Sequence, residues 1–192
     1  LAEGVPHTGR AAPSDGAVSE RRSPLRAALA AAVAAMAGAY PLLYAAGALL
    51  RLRYPFELEW LEGGSLAQVQ RILDGQAVYV RPGVDYVAFP YAPLYYYAAA
   101  AVAAITGPGF TALRLTSFLA SLGSMAVIFS LVRRETGRVL PALVAVGAFA
   151  GTYGLAGAWL DVGRVDSLCL ALTLGAIHRI RFGRTARSQA AA

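Results

Sequence analysis

The hydrophobic residues of this chain fall into five apolar runs; a long segment, 51–90, separates the first two runs, and short polar stretches separate the others. The first run is long enough to cross the hydrocarbon core of a bilayer, because about 30 Å of thickness needs roughly 20 helical residues. The pattern therefore predicts an all-α fold, a polytopic transmembrane helical bundle. A cleaved signal peptide is the alternative for the first run, which is nevertheless longer than the usual apolar core of such a peptide. The runs are 24–50, 91–106, 110–131, 139–160 and 165–180.

A different periodicity follows the first apolar run. Between residues 57 and 73 the apolar side chains recur at helical spacing, which predicts an amphipathic helix. Asp74 and Gly75 are typical of its end, and Pro82 and Gly83 predict a turn further on. We expect residues of about 51–90 to form the first extracytoplasmic loop, with the amphipathic helix beside the membrane. The apolar positions of that helix are Leu58, Leu61, Leu66, Val69, Ile72 and Leu73.

The two ends of the chain lack this patterning. Residues 1–23 are rich in Gly, Pro, Ala and Ser, a composition that predicts a disordered tail. Residues 185–192 are predicted to be a second disordered tail, and residues 24–184 form the membrane domain between them. Because the chain begins with Leu and stops soon after an apolar run, we expect it to be a piece of a longer protein.

Composition and charge place the chain in the membrane class. Hydrophobic residues make up 57% of the 192 residues and charged residues only 15%, against about 25% charged in soluble domains. The formal net charge is +6. Every basic residue is an arginine, and most of the arginines lie in short clusters that flank apolar runs. This distribution is that of membrane topology signals and excludes a nucleic-acid interface, which needs a basic stripe or a recognition module. The single cysteine, Cys169, excludes an intrachain disulfide.

The arginines also predict the orientation of the runs. If all five runs cross the membrane, 11 arginines lie outside and 6 inside; if the 16-residue run 91–106 is interfacial or re-entrant, 11 lie inside and 6 outside. The positive-inside rule favours the second arrangement, with a cytoplasmic N-terminus and integration into the cell (plasma or inner) membrane. That arrangement brings two groups of charges to one outer face. They are Glu57, Glu59 and Glu62 after the first run, and Asp161, Arg164 and Asp166 before the last.

Carboxylates and an arginine at a membrane surface suit transfer from a phosphate-linked donor. A carboxylate can act as general base or hold a divalent cation, and arginine binds phosphate through paired hydrogen bonds. The residue types also admit a structural interpretation, since Asp161 suits a helix cap and Asp166 suits an ion pair with Arg164 or Arg114. Tyr91 and Trp60 are typical of an interfacial aromatic belt or of a surface that stacks on sugar. Spacing alone establishes a polytopic membrane protein with an acidic extracytoplasmic site.

The order of five short motifs extends this interpretation. The motifs are ELEWLEGG, RILDGQAVY, YAPLYYY, LRLTSFL and GRVDSL, within residues 25–184. In this order the chain resembles the N-terminal part of the GT-C superfamily of membrane glycosyltransferases, related to protein O-mannosyltransferases and aminoarabinose transferases (glycosyltransferase family 39-like). It differs from that pattern in having Tyr91-Ala92-Pro93-Leu94 where relatives have Lys-Pro-Pro-Leu. Its loop acids are also spread out rather than adjacent.

The resemblance implies a function and roles for residues. It implies inverting transfer of a sugar from a polyprenyl-phosphate donor to an extracytoplasmic acceptor, with a divalent cation (Mg²⁺ or Mn²⁺) as the one cofactor to consider. Glu59 or Glu62 would match the acid of the first loop and Asp166 the second acid, so these three are the catalytic candidates. The candidates for substrate binding are Glu57, Trp60, Tyr91, Arg114 and Arg164, with Arg164 as the phosphate contact.

Two other classes of protein remain compatible with the pattern. In a non-enzymatic membrane subunit the acids would serve helix packing or docking of a partner. In a transporter fragment they would relay ions, although here the acids lie at the ends of runs and no inverted repeat is apparent. The sugar and the acceptor are not specified by the sequence.

Overall fold

A computed structural model describes residues 24–183, and the two predicted tails, 1–23 and 185–192, lie outside the described residues. Within this range the chain forms six helices and no strand, so the all-α prediction is confirmed. The helices are α1 (Pro24–Arg51), α2 (Leu61–Leu73), α3 (Leu94–Thr106), α4 (Phe110–Thr136), α5 (Val139–Gly151) and α6 (Asp166–Phe182).

Two of these helices, α1 and α4, are long and apolar enough to cross a membrane by length and composition. α1 spans 28 residues and α4 spans 27, whereas the apolar helices α3 and α5 have 13 residues each. Only 11% of the most apolar window of α1 is buried inside the protein. Because apolar surface is costly to leave in water, α1 has the character of a lipid-facing helix rather than of a soluble core.

Several helix boundaries differ from the sequence-based prediction, among them the start of α2 and the end of α5. α2 begins at Leu61 rather than at residue 57, because the backbone N–H of Leu61 donates to the Glu59 carboxylate (2.9 Å) and the chain before it is irregular. The predicted run 139–160 is helical only to Gly151. The residues that follow turn repeatedly, with Gly157 and Ala158 at positive φ (69° and 58°). Hydrophobicity alone did not distinguish this apolar turn from helix.

Helix α4 is the centre of the arrangement. It packs against α3, α5 and α6 and touches α2, while α1 packs mainly on α5. Tyr95 and Leu113 lie in a core shared by α2, α3 and α4, and Tyr44 and Phe118 lie in a second core shared by α1, α4 and α5. The first turns of α4 therefore contact both cores.

The end of α1 and the start of α4 lie at the same end of the molecule. The Arg114 guanidinium, in the second turn of α4, donates to the carbonyl oxygen of Arg51, the last residue of α1 (3.2 Å). Helix α3 starts beside the same turns, since the Tyr95 hydroxyl donates to the Leu113 carbonyl (3.1 Å). Residues 52–109 thus leave and return to one end, which is the arrangement expected if α3 does not cross the bilayer.

Candidate functional site

A buried ion pair joins α2 to α4 at this end of the molecule. Arg114 Nε donates to Glu62 Oε1 (2.9 Å) and Nη2 donates to Oε2 (2.6 Å). These two bonds fix the plane of the guanidinium relative to that of the carboxylate. The side chains are 1% and 0% exposed. The other Arg114 donors reach three backbone carbonyls between α1 and α2, those of Arg51, Tyr54 and Phe56. All five guanidinium N–H groups are therefore matched by acceptors.

The Glu62 carboxylate also receives two backbone N–H groups. Leu58 N–H donates to Oε2 and Gly163 N–H donates to Oε1, both at 2.8 Å. Burial favours the neutral acid, but the hydrogen bonds from Arg114, Leu58 and Gly163 favour the carboxylate more, so the pKa of Glu62 is lowered from its usual value. Glu62 thus anchors four segments of the chain, and its oxygens are occupied.

A second charge cluster is more accessible. The Arg164 guanidinium lies between two carboxylates: Nε donates to Asp166 Oδ2 (2.8 Å) and Nη1 donates to Glu59 Oε1 (3.1 Å). The side chain of Asp166 is 53% exposed, whereas those of Arg164 and Glu59 are 13% and 11% exposed. The Trp159 ring lies under the guanidinium at 4.2 Å, which holds its plane in place. The sequence-predicted residues Glu59, Arg164 and Asp166 are therefore brought together.

Tyr91 connects this cluster to an apolar cavity. A small recess beside Arg164 and Asp166 is lined by Tyr91, Ser65 and Tyr96. On its other side Tyr91 lines a cavity of about 270 Å³ between the starts of α3 and α6. The remaining lining residues of the cavity are Ala92, Leu94, Tyr95, Val165, Leu168, Cys169 and Leu172. The recess with Arg164 and Asp166 therefore lies beside an apolar cavity, and we call this recess the charged mouth.

The other predicted binding residues lie around α2. Trp60 is 75% exposed and packs edge-on against Phe89, with 6.5 Å between ring centroids. Glu57 lies over Gly63, and Phe89 lies over Gly64, so a side chain at either glycine would collide with its neighbour. The Gly63-Gly64 pair therefore lets the chain pack directly on the α2 backbone.

A third polar group was not predicted from the sequence. Arg51 donates to Asp161 Oδ1 (3.3 Å) and to the Tyr153 hydroxyl, and Tyr153 donates to Asp161 Oδ1 (2.7 Å). Burial raises the pKa of Asp161 despite these partners, and its Oδ2 has no hydrogen-bond partner among the described residues. The sequence suits Asp161 to a helix cap, whereas its partners in the structure, Arg51 and Tyr153, follow no local motif.

The residues present offer only part of a metal site. Within residues 24–183 no three His, Cys, Asp or Glu side chains lie close enough together to hold an ion. Mg²⁺ often needs only one or two carboxylates when substrate phosphate completes its coordination. Glu59 and Asp166, on either side of Arg164, are of that type, so the expectation of a divalent cation stays a prediction.

The fold and the site define a helical protein with two candidate membrane-spanning helices and a charged mouth beside an apolar cavity, and the sequence comparison assigns its family. The family described as dolichyl-phosphate-mannose-protein mannosyltransferase matches residues 90–188, just over half of the chain, and the chain belongs to that family. The resemblance to GT-C glycosyltransferases is thereby confirmed. Searches of curated proteins and of solved structures each gave no match. The matched region includes Arg114, Arg164 and Asp166, but it begins after Glu59 and Glu62.

Proposed function

We propose that this chain is the N-terminal part of an integral membrane glycosyltransferase that transfers a sugar from a polyprenyl-phosphate donor to an extracytoplasmic acceptor. Membership of a mannosyltransferase family supports the reaction class. One observation carries the donor assignment: Arg164 and two carboxylates stand at the mouth of an apolar cavity. A polyprenyl phosphate matches this arrangement, because it consists of an anionic head on an apolar tail.

The head and tail of the donor would occupy different parts of the site. The isoprenoid units nearest the phosphate fit the cavity lined by Leu168, Cys169 and Leu172. Arg164 Nη2 has no hydrogen bond among the described residues, whereas Nε and Nη1 are used. We propose that the N–H groups of Arg164 Nη2 are the first to bind the phosphate of the sugar donor.

The proposed chemistry is a single displacement at the anomeric carbon. A carboxylate takes the proton of the acceptor hydroxyl while the hydroxyl oxygen forms a bond to the anomeric carbon. The bond from that carbon to the phosphate oxygen breaks, and the electron pair leaves with the phosphate, where Arg164 would stabilise the charge. One displacement inverts the configuration of the sugar.

The carboxylates differ in their suitability as the base. Asp166 is half-exposed and has one hydrogen-bond partner among the described residues, Arg164, so an acceptor hydroxyl can reach it. Glu59 is more buried, with one oxygen on Arg164 and the other on the Leu61 N–H. Both oxygens of Glu62 already accept two hydrogen bonds each. We therefore propose Asp166 as the base, Glu59 as its alternative, and Glu62 with Arg114 as the pair that positions the site.

The proposed orientation has the N-terminus in the cytoplasm and the Arg164 site on the extracytoplasmic side. Charge asymmetry between the two ends of the described molecule supports it. The end with Arg133, Arg134, Arg138, Arg179 and Arg181 carries one carboxylate, Glu135, whereas the Arg164 end is acidic overall.

Cys169 provides a direct test, because it is the single cysteine and lines the proposed tail cavity. The experiment measures the rate at which N-ethylmaleimide modifies Cys169 in the reconstituted protein. A polyprenyl phosphate should slow modification several-fold, and the uncharged polyprenol of equal length should slow it much less. Arg164→Gln should remove the difference between the two lipids.

A matched control uses an exposed position in the loop before α3. In Cys169→Ser with Val84→Cys, modification should be unaffected by either lipid, since Val84 is fully exposed and lines neither the cavity nor the recess beside Arg164. Equal modification of Cys169 with and without polyprenyl phosphate would overturn the donor assignment. Protection that is identical for the alcohol and the phosphate would remove the proposed role of Arg164.

A further inference from the structure

The end of the molecule opposite Arg164 contains a second groove. There α4 and α6 meet through Ser130 Oγ and His178 Nε2 (2.8 Å), and Arg181 Nε donates to Glu135 Oε1 (2.7 Å). Beside these contacts lies a cavity of about 410 Å³. Most of its lining residues are apolar, Leu172 among them, and the polar lining residues are His178 and Arg179.

The surroundings of this groove are strongly cationic. The ends of α4 and α6 and the turn before α5 hold five arginines against one carboxylate among the described residues. Arg134 lies over the Phe182 ring at 5.2 Å, so its charge is held close to the end of α6. The cations are Arg133, Arg134, Arg138, Arg179 and Arg181, and the anion is Glu135.

We propose that this groove binds one anionic phospholipid of the surrounding membrane, with an acyl chain in the α4–α6 cavity and the phosphate at Arg179 and His178. A membrane lipid is the occupant that matches both parts of the groove. A free phosphate would leave the apolar wall unfilled, and a zwitterionic lipid would offer no net charge to the arginines. Basic pockets between helices near the membrane surface favour anionic headgroups for this reason.

The groove has free space beside Gly175. A Cβ added there would meet no atom within 4 Å, although Gly175 lies within α6 and lines the cavity. A larger side chain at this position would therefore enter the groove without displacing the protein. Gly175→Leu is thus a substitution that fills the proposed acyl site while leaving the helix contacts in place.

Native mass spectrometry of the detergent-solubilised chain tests the proposal. The probes are dioleoyl phosphatidylglycerol and dioleoyl phosphatidylcholine, which share their acyl chains and differ in net charge. We expect the anionic lipid to bind at least about five-fold more tightly, since one arginine near an anionic headgroup contributes roughly that factor. Arg179→Gln should reduce this preference about five-fold while leaving phosphatidylcholine binding unchanged.

Substitutions that fill the groove distinguish binding of an acyl chain in the groove from electrostatic attraction of the headgroup alone. Gly175→Leu, and Ala176→Leu as a second variant, should weaken binding of both lipids. Gly38→Leu is the matched control, because Gly38 is a helical glycine on α1 that also faces open space; it should change neither. Inorganic phosphate at millimolar concentration should leave the bound lipid in place.

Three results would overturn the proposal. Equal affinity of the unmodified chain for the two lipids would remove the headgroup site. Unchanged binding in both Leu variants would remove the groove. Displacement by inorganic phosphate would assign the cations to a free anion. The cationic end of the groove and the Arg164 site lie at opposite ends of α6, although Leu172 lines both cavities. None of these lipid-binding outcomes bears on the proposed roles of Arg164 and Asp166 in sugar transfer.

Discussion

The Glu62 carboxylate and the Arg114 guanidinium, 52 residues apart in the chain, form a buried ion pair with two direct hydrogen bonds. Around this pair the end of α1, the start of α2, the start of α4 and the segment before α6 converge. The more exposed cluster of Glu59, Arg164 and Asp166 lies on that foundation. The pair therefore sets the geometry from which the proposed chemistry follows.

Breaking this ion pair should strongly destabilise the protein. Arg114→Met leaves Glu62 buried without its cation and leaves three carbonyls without donors, and the expected loss is about 3–5 kcal/mol. Glu62→Gln should also be destabilising, since the arginine then loses its counter-charge. The double variant should lose less than the sum of the single losses. Denaturant unfolding in detergent micelles measures these differences; simple additivity would show that the two residues do not interact.

The lowered pKa of Glu62 predicts acid sensitivity. A carboxyl group with a lower pKa in the folded than in the unfolded state stabilises the fold above its unfolded pKa, and that contribution is lost as the pH falls through the folded pKa. Stability should thus decline below about pH 4.5, and Glu62→Gln should flatten this decline. The melting temperature measured from pH 3 to pH 7 checks it.

Asp161 provides a control, because its contribution to stability should depend on pH with the opposite sign. Its pKa is raised by burial, so it contributes stability at low pH that is lost as the pH rises through its folded pKa. Asp161→Asn should remove that loss and leave the acid-side decline due to Glu62. If Asp161→Asn instead removes the acid-side decline, the assignment of the decline to Glu62 is wrong.

Contact between α1 and α5 depends on Gly147. A Cβ at this position would lie 2.5 Å from the Cα of Ala37 and 2.6 Å from its carbonyl oxygen. Since backbone atoms cannot swing aside, Gly147→Ala should force the helices apart at a cost of about 1–3 kcal/mol. Gly38→Ala, on α1 and facing open space, should be neutral or slightly stabilising. Equal effects of the two changes on thermal unfolding would contradict the packing described here.

Removal of divalent cations tests the expectation of a metal. If Mg²⁺ or Mn²⁺ bridges the donor phosphate to Glu59 or Asp166, a chelator should abolish sugar transfer and either ion should restore it. Donor protection of Cys169 should then weaken with the chelator as well. Full transfer after exhaustive chelation would mean that Arg164 acts on the phosphate without a metal.

The sequence was most informative about helices and least informative about the contacts between them. Apolar runs separated by Gly and Pro predicted five of the six helices, and periodicity predicted α2. The early end of α5 was missed because the turn that follows Gly151 is also apolar, so hydropathy did not mark it. Arg133 and its neighbours predicted the cationic end because topology signals are local in sequence.

The contacts within the site follow no local rule. The motif order identified Glu59, Glu62, Arg114, Arg164 and Asp166 as candidates but left their partners open. Which acid pairs with which arginine depends on how α2 and the loop before it pack against α4 and against the segment before α6. No spacing in the chain encodes that packing. One partner of Asp161 is Arg51, 110 residues away, and only the fold brings these two residues together.

The most direct test of the central claim is consumption of a radiolabelled polyprenyl-phosphate mannose by the reconstituted protein and its Asp166→Asn and Glu59→Gln variants. Loss of the general base should slow transfer by about 10²–10⁴-fold, while Cys169 remains protected by polyprenyl phosphate. We predict that loss for Asp166→Asn and a smaller one for Glu59→Gln. Transfer at the unmodified rate in both variants would contradict the account.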